Sequence, residues 1–473
     1  MRYVLVLLAV FIAVLIIKTA IVKIKARRLG AEIAHYTQQE QTEYATSLGE
    51  MIRCQTVSQE GGFNETEFKK LREVTERLFP VLHSKAELLI FGDDCWLYKI
   101  EGEDTTRNIM LMSHHDVVEV QGEWEHPGFC GEIYGDAIWG RGTVDTKTSL
   151  FAELQALEEL LKEGFVPQCN VYIGSSHNEE IGGNGIPLVL EYFEKNNITL
   201  ETVLDEGGAI IDPPLAGMKC KCAMMAVHEK GRRRIICTAQ EGTSHAGLSG
   251  NTNTPVARMS AFINEVNSKD IFIKKLYPQV KAMFEDLCAY TPLPMMVLFS
   301  NLWCFGGLLK RVMPKVNAQA GSMLGTSCTF FEINGSYEDK KCTAKATLRC
   351  VNDEDLEKDL EQIKKIAKKY NITVVDGEFN EYHKPADMSC EAFSYTKKCI
   401  AEIFPHVASA AYILPAGTDA RHLSDICPCV IRFAPIEMNA QQFASVHSEN
   451  ENISIKAVGN AVAFYKYYIK NYK

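Results

Sequence analysis

The residues of this chain that could do chemistry start with a glycine-rich stretch that ends in an aspartate. Gly140 and Gly142 bracket an arginine, and Asp145 follows shortly after the second glycine. Apolar residues then recur every three or four positions from Leu150 to Leu161, which predicts a helix with one buried face. Asp145 is therefore predicted to lie on a tight turn from a strand into a helix, although ordinary turns also show this pattern.

Histidines and carboxylates in other motifs make this aspartate a candidate metal ligand. Histidine nitrogens and carboxylate oxygens are ligands that a metal ion such as zinc accepts in proteins. Adjacent carboxylates repel each other unless a cation is near, and the chain contains such pairs. The candidates are, in chain order, His114, Asp116, Glu179, Glu180, Asp205, Glu206 and His447.

Segments that resemble buried strands position these candidates. The runs 109–112, 170–174 and 202–204 are apolar, and each ends just before one of the motifs. Helical patterns alternate with these runs, which predicts an α/β sheet. Such sheets bind ligands at the carboxyl ends of their strands, where the motifs lie. Residues 32–51 are predicted to form a helix before the sheet.

Beyond His228 the pattern changes to strands that surround one charged helix. The apolar stretch 292–313 could be read as a second membrane span, but Asn301, Lys310 and Arg311 favour an insertion in this block instead. The elements predicted for the block are strands at 232–239, 326–333, 342–351 and 372–375 and a helix at 353–370.

The ordered set of motifs resembles the co-catalytic dizinc exopeptidase family that includes aminoacylase, carboxypeptidase S, glutamate carboxypeptidase and succinyl-diaminopimelate desuccinylase. The resemblance is closest to the carboxypeptidase S-like branch, which includes secreted N-acyl-amino-acid hydrolases. It covers nearly all of the chain after its N-terminal segment and is carried by residues 124–129, 138–147, 203–208 and 417–421.

The resemblance implies an α/β fold with a zinc-exopeptidase-like catalytic domain that an α+β lid or dimerisation domain interrupts. The catalytic domain would comprise residues 31–228 and 385–473, and the lid would comprise residues 229–384. Residues 1–30 would precede it as an N-terminal membrane anchor.

Two zinc ions per chain are also implied by the resemblance. Asp145 would bridge the two ions, His114 would bind one of them, and Glu180 and His447 would bind the other.

The remaining acidic candidates would support the zinc ions and the reaction in the same family pattern. Glu179 would be the general base, and Asp116 would orient the imidazole of His114. Either Asp205 or Glu206 would complete the coordination of the zinc ion that His114 binds, with Glu206 preferred by analogy with aminoacylases.

Residues on the substrate side follow from the resemblance as well. His245, on a glycine-flanked loop, would stabilise the oxyanion in the active site of a partner subunit, which implies a homodimer. Arg349 would pair with the substrate carboxylate, because a guanidinium group suits a carboxylate. Gly417 and Thr418 would offer backbone donors beside the zinc ions.

The chain departs from the family pattern on this substrate side. Family members usually carry N-V-I-P shortly before the substrate-binding arginine, where this chain has residues 338–341. An arginine that commonly precedes the lid strand is replaced by Gly325. The identity of the substrate therefore stays open, while the zinc-binding residues are intact.

The reaction implied is hydrolysis of an amide bond next to a free carboxylate, in a peptide or an N-acyl amino acid. The alternatives are a dipeptidase, a desuccinylase-type deacylase, or a non-catalytic protein that binds peptides or amino acids and has kept the fold. Nucleic acid is not an expected partner, because the net charge is −10 and the soluble part has no long basic run.

An apolar stretch at the N-terminus predicts a single-pass transmembrane helix. Residues 3–17 are apolar, and Lys18 can reach the membrane surface. A cleaved signal peptide is the alternative, but no small-residue cleavage site precedes the basic cluster at 23–28. That cluster favours an anchor with the catalytic domain on the cytoplasmic side, a rule that long translocated domains can override. The 16 scattered cysteines favour free thiols and a reducing compartment.

Overall fold

The computed structural model describes residues 2–240, 254–316, 318–336, 339–380 and 383–473. The helices are α1 (Arg2–Lys25), α2 (Gln38–Ile52), α3 (Glu65–Leu78), α4 (Pro80–Lys85), α5 (Lys147–Lys162), α6 (Gly185–Lys195), α7 (Pro255–Ser268), α8 (Pro278–Leu287), α9 (Leu293–Ser300), α10 (Leu302–Val316), α11 (Ala318–Ser322), α12 (Asp353–Lys369), α13 (Glu391–Ile403), α14 (Ala440–Ala444) and α15 (Ile455–Asn471).

Within the described residues, the strands fall into three sheets. They are β1 (Glu87–Phe91), β2 (Cys95–Ile100), β3 (Asp104–His114), β4 (Glu132–Tyr134), β5 (Ala137–Trp139), β6 (Cys169–Ser176), β7 (Thr202–Asp205), β8 (Ile210–Ile211), β9 (Cys222–Glu229), β10 (Gly231–Gln240), β11 (Ser327–Ser336), β12 (Lys341–Cys350), β13 (Ile372–Asn380), β14 (Ala408–Leu414), β15 (Val430–Arg432) and β16 (Asn452–Ser454).

The largest sheet has nine strands and mixes parallel with antiparallel pairs. Its order is β1-β2-β6-β3-β7-β15-β9-β14, and β8 pairs with β9. β3 runs parallel to β6 and β7, and β7 runs parallel to β15, so these four strands end at the same edge. Every residue of β6 and β7 is buried, as expected where both faces of a sheet are covered. The predicted α/β class is confirmed in the form of this mixed sheet.

Helices α5 and α15 pack against each other within the main hydrophobic core. The apolar positions of α5, which include Leu150, Leu154 and Leu157, are fully buried. The predicted helix at 150–161 is therefore confirmed, and it starts two residues after Asp145.

The helix predicted at 32–51 starts later than expected, at Gln38. Thr37 caps it, because its hydroxyl oxygen accepts from the amide of Glu40. The carboxylate of Glu40 in turn accepts from the amide of Thr37 at 2.7 Å, which completes a capping box. Residues 32–37 therefore lie outside the helix, and the predicted start was wrong.

The second sheet is antiparallel, with the strand order β11-β12-β10-β13. Helices α7 and α12 pack on it and share a separate hydrophobic cluster, to which Phe262, Leu348 and Ile363 contribute. The strands predicted after His228 are all present, each with its ends shifted by a few residues. A third, small sheet of β16, β5 and β4 lies next to the Asp145 turn.

Helix α1 carries its apolar side chains on the outside, and Thr19 is its one buried residue. By length and composition it could cross a membrane. The apolar stretch predicted as an insertion forms α9 and α10, which meet at an angle of 109°. These two helices could also cross a membrane if they were taken together as one broken span.

Candidate metal centre

A fully buried carboxylate from the far end of the chain shapes the turn that carries Asp145. Oε1 of Glu451 accepts from the backbone amides of Gly142, Val144 and Asp145 at 3.0, 2.7 and 3.1 Å. Its Oε2 accepts from the guanidinium of Arg141 at 2.6 Å. Both side chains of this ion pair are almost completely buried. Sequence reasoning missed Glu451, because nothing local distinguishes it from the acidic residues around it.

Asp145 lies between two imidazoles, one on each of its oxygens. Oδ1 is 3.0 Å from Nε2 of His114, and Oδ2 is 2.9 Å from Nε2 of His447. Burial raises the pKa of Asp145, but its hydrogen bonds to the two histidines outweigh burial and lower it below its usual value. One carboxylate thus faces the two groups that the sequence assigned to different metal ions.

His447 and Glu180 form the second half of this arrangement. Nε2 of His447 is 2.9 Å from Oε2 of Glu180, and the hydrogen bonds to Asp145 and Glu180 raise the pKa of His447 to about 10. The backbone of His447 has a φ of 56°, a value that few non-glycine residues adopt. Burial raises the pKa of Glu180, and its Oε1 is buried without a hydrogen-bond partner.

Asp116 connects the end of β3 to the loop that follows β6. Its carboxylate accepts from the amides of Glu179 and Glu180 at 3.2 and 3.1 Å and from the hydroxyl of Ser58 at 2.6 Å. Its Oδ1 is also 3.3 Å from Nδ1 of His114. Burial raises the pKa of Asp116, but the His114 imidazole and the Ser58 hydroxyl together keep it below its usual value. Asp116 thus contacts the His114 imidazole through its carboxylate and also holds the backbone amides of both glutamates in place.

Glu179 lies inside the site with a strongly perturbed carboxyl group. Burial raises its pKa well above the usual value, and the negative charges of Asp419, Glu206 and Glu180 raise it further. The positive charge of His114 opposes this effect. A carboxyl group with a raised pKa close to candidate metal ligands is suited to accept and return a proton.

The neighbours Asp205 and Glu206 differ in their surroundings. Oδ2 of Asp205 accepts from the amide of Ala420 at 3.1 Å, and the nearby Arg432 guanidinium stabilises its charge. Glu206 instead interacts with Asp145: burial raises the pKa of Glu206, and the charge of Asp145 is the next largest cause. Asp205 thus has partners within the protein, whereas Glu206 faces the other candidate ligands.

Three of these side chains meet closely enough to hold a metal ion. His114, Asp145 and Glu180 each place one potential ligand atom within 4.8 Å of the others. One nitrogen and several carboxylate oxygens form the donor set that zinc accepts. The partnerless Oε1 of Glu180 and the two-sided contacts of Asp145 fit a metal centre better than a closed hydrogen-bond network.

A cavity of about 650 Å³ opens beside this cluster. Glu180 and His447 line it together with Arg141, Gln121 and Ile181. His447 is 52% exposed, so a molecule in the cavity reaches the cluster through this histidine.

The residues assigned to substrate lie around a second buried ion pair. Glu229, at the end of β9, accepts from Nε of Arg432 at 3.1 Å. It also accepts from the backbone amide of Thr418 at 3.1 Å, so this amide, expected as a donor for the substrate, already has a partner. Gly417 precedes it at the same loop. Burial and the charge of Arg232 lower the pKa of Arg349, and Glu229 opposes this effect.

Gly325 has a structural reason for being glycine. A Cβ at this position would lie 2.0 Å from the carbonyl oxygen of Ile273. Its own carbonyl accepts from Nζ of Lys230 at 2.8 Å, and the same ammonium donates to the carbonyl of Ser322 at 2.9 Å. Burial lowers the pKa of Lys230 to about 7. Two further positions singled out by the sequence, His245 and Glu338, lie outside the described residues.

Comparison with known sequences gives matches over most of the chain. The family model described as Peptidase family M20/M25/M40 matches residues 110–471. The N-fatty-acyl-amino acid synthase/hydrolase PM20D1 of Xenopus tropicalis is 28% identical over 98% of this chain and 93% of its own length. The probable carboxypeptidase S-like 2 of Dictyostelium discoideum is 28% identical over 93% of this chain and 87% of its own length.

Solved structures share the fold at low sequence identity. An M20 family metallo-carboxypeptidase from Sulfolobus solfataricus has a TM-score of 0.64 at 19% identity and covers 90% of this chain and 98% of its own. Human carnosine dipeptidase 1 has a TM-score of 0.62 at 14% identity and covers 91% and 96%. A Bacillus subtilis protein titled a dinuclear metal binding peptidase from the M20 family has a TM-score of 0.55 at 12% identity and covers 91% and 98%.

Proposed function

The chain belongs to peptidase family M20/M25/M40 and is a hydrolase, and on this premise we propose that it cleaves an amide bond next to a free carboxylate. The substrate is a peptide or an N-acyl amino acid. The observation that carries the proposal is the arrangement of Asp145 between His114 and His447, with Glu180 on the second imidazole. The names of the carboxypeptidase S-like and N-fatty-acyl-amino acid hydrolase relatives support the substrate class.

Two zinc ions fit the donor set of this chain. Asp145 would bridge them, His114 and Glu206 would hold one, and Glu180 and His447 would hold the other. Glu206 is preferred over Asp205 because the amide of Ala420 already occupies the Asp205 carboxylate. The chemistry that such ions supply is the polarisation of a carbonyl group and the acidification of water.

Glu179 is the general base of the proposed reaction. Its carboxylate accepts the proton of the attacking water and then delivers it to the nitrogen of the leaving amine. Asp116 accepts hydrogen bonds from the backbone amides of Glu179 and Glu180 at the start of this loop. These bonds hold the base and a proposed metal ligand in fixed positions relative to each other. Arg349 pairs with the substrate carboxylate. The backbone amide of Gly417 would act as a hydrogen-bond donor beside the zinc ions.

The block of residues 229–384 is proposed as the lid and dimerisation domain. The separate hydrophobic cluster beneath β10 to β13 supports this assignment for the sheet and its helices α7 and α12, because a domain needs a core of its own. In a homodimer, His245 of each chain would reach the oxyanion in the active site of the other. Residues 1–30 form the membrane anchor, with the catalytic domain on the cytoplasmic side.

Turnover of a substrate panel tests the proposed reaction. The panel contains long-chain and short-chain N-acyl amino acids, dipeptides, N-succinyl amino acids, and the methyl ester of each carboxylate. We expect hydrolysis of N-acyl amino acids or peptides with a free carboxylate and little turnover of the esters, because the ester cannot pair with Arg349. Equal turnover of acids and esters would contradict the proposal, and binding without turnover would show a binding protein.

Metal analysis of the same preparation provides the second measurement. We expect about two zinc ions per chain and loss of activity with a chelator, restored by added zinc. Protein that contains no transition metal and keeps its activity in the chelator would refute the dizinc assignment.

A further inference from the structure

The second apolar helical element of the chain packs directly against the N-terminal helix. The hydroxyls of Thr19 in α1 and Ser300 at the end of α9 are 2.9 Å apart. The ring of Phe11 meets the ring of Trp303 edge to face, with centroids 5.8 Å apart. Nζ of Lys18 lies 5.5 Å from the centre of the same indole. Thus α9 and α10 contact α1 along its middle turns rather than at its end.

A buried asparagine forms the joint between these helices. Asn301 separates α9 from α10, and its side chain is completely buried. Its amide donates to the carbonyl of Val297 at 2.9 Å, and its Oδ1 accepts from the indole of Trp303 at 3.2 Å. The amide is also 3.4 Å from the carbonyl of Leu15 in α1. Polar side chains that join apolar helices in this way are typical of contacts between helices in a membrane.

The outward surface of α9 and α10 is apolar in a way that a water-exposed helix pair is not. Leu293 is 65% exposed, Trp303 56%, Leu308 53% and Val312 44%. No acidic residue occurs from Leu293 to Val316, whereas α10 carries two lysines and an arginine near its end. The basic residues thus lie at one end of the apolar surface, where long basic side chains can reach the membrane surface.

The depth of the contact decides what covers this surface. With a rise of about 1.5 Å per residue, Phe11 lies roughly 21 Å along α1 from Lys25, and the hydrocarbon layer is about 30 Å thick. If α1 spans the bilayer with its basic end at the surface, the Trp303 corner lies at the depth of the acyl chains. A helix pair held there meets lipid, not water.

We propose that α9 and α10 insert into the lipid bilayer beside α1, so that the protein is held by a two-part membrane unit. The partner is the lipid bilayer itself. The proposal rests on the membrane anchor inferred above, and it adds a second element from inside the lid block. That element holds the catalytic domain at a fixed height and orientation above the membrane. A single transmembrane helix alone would let the domain rotate.

Cys304 allows the depth to be measured in the full-length protein. It is the one exposed cysteine among the 16, and it follows Trp303 directly. A nitroxide attached to Cys304 in vesicles of phosphatidylcholine is compared with one attached at the exposed Ser84 of α4, in the variant Cys304→Ser/Ser84→Cys. We expect the Cys304 label to collide mainly with oxygen, which dissolves in lipid, and the Ser84→Cys label to collide mainly with a water-soluble nickel chelate.

Tryptophan fluorescence gives an independent reading without a label. The fluorescence of Trp303 is the difference in emission between the natural protein and the variant Trp303→Phe. Lipids brominated on their acyl chains should quench this fluorescence, and aqueous iodide should not. A Cys304 label as open to the nickel chelate as the Ser84→Cys label would overturn the proposal, as would an indole quenched by iodide alone. The anchor is tested separately: if the full-length protein does not float with the vesicles, the α1 assignment has failed instead.

Discussion

The charged residues at the edge of the nine-stranded sheet and those proposed to face the substrate differ in their contacts. At the edge, two buried carboxylates accept from backbone amides that are distant in the sequence: Asp116 holds the Glu179 loop, and Glu451 holds the Asp145 turn. Around Arg349, which is proposed to face the substrate, burial and the like charge of Arg232 lower the pKa of the guanidinium. The first arrangement fixes geometry, and the second leaves a cation whose charge the protein only partly balances.

This difference distinguishes the residues proposed to carry out the reaction from those proposed to select the substrate. The residues of the candidate metal centre share several hydrogen bonds, whereas Gly325 is a glycine for a local steric reason. We therefore propose that the hydrolase activity depends on the first region. On the proposed assignment, choice among N-acyl amino acids and peptides depends on the second region, and we expect changes there to shift specificity without removing the chemistry.

The variant with the largest expected effect removes the proposed base, Glu179, and keeps the proposed metal ligands. Glu179→Gln keeps the size of the side chain and the backbone amide that donates to Asp116. The new side chain cannot accept a proton. We expect kcat to fall by about 10²–10⁴-fold with zinc content unchanged, as for loss of a general base. Stopped assays with metal analysis of the same sample measure both quantities.

Glu180→Gln is the paired variant, and the exposed Glu194→Gln is the control. Glu180 contacts His447, so its replacement should release metal, while Glu194→Gln should change neither activity nor metal. If Glu179→Gln lost zinc and Glu180→Gln kept it, the two roles would be reversed.

Sequence reasoning reached the edge of the sheet because its motifs lie at strand ends. His114 ends β3, Asp205 ends β7, and the helix after Asp145 has a clear apolar period. Parallel strands bring such ends together, so the local pattern was sufficient to place these residues. Their roles at zinc stay predictions until metal is measured.

The supports of the same site could not be predicted in this way. Glu451 is 306 positions from Asp145 and lies in a loop without any periodicity. Ser58, which donates to Asp116, likewise comes from an irregular segment. The contact of α9 with α1 depends on Thr19 and Ser300, which lie 281 positions apart in the chain. Contacts of this kind arise from tertiary packing, which a local pattern does not contain.

The next test asks whether the substrate side is completed by a second chain. His245→Ala alone should lower kcat by about 10²–10³-fold with zinc retained, the usual effect of losing one oxyanion donor. In doubly tagged dimers of His245→Ala with Glu179→Gln, one site has an intact base from one chain and an intact histidine from the other. Roughly half of the natural activity should therefore return. Activity no higher than the average of the two variants would show that His245 does not act across a dimer.

The smallest expected effect comes from the support that is farthest from the chemistry. In Glu451→Gln, Oε1 can still accept the three backbone amides, but an NH₂ group replaces the oxygen that faces Arg141. The Asp145 turn should loosen, and zinc affinity should fall by about 10–100-fold, the usual effect of losing a partner behind the ligands. The kcat of the zinc-saturated variant should stay near the natural value, because Glu179 is untouched. Titration with a competing chelator measures the affinity.

Two further variants separate this effect from a general loss of stability. Glu123→Gln, an exposed neighbour of Trp124, is the matched control and should leave zinc affinity unchanged. Breaking a buried ion pair leaves an unpaired charge that costs about 3–5 kcal/mol, and removing both partners avoids that cost. Glu451→Gln/Arg141→Met should therefore unfold at a higher temperature than Glu451→Gln. If zinc affinity recovered fully together with stability, Glu451 would act through the fold alone. If affinity stays low while the melting temperature rises, the buried carboxylate positions the Asp145 turn for the metal.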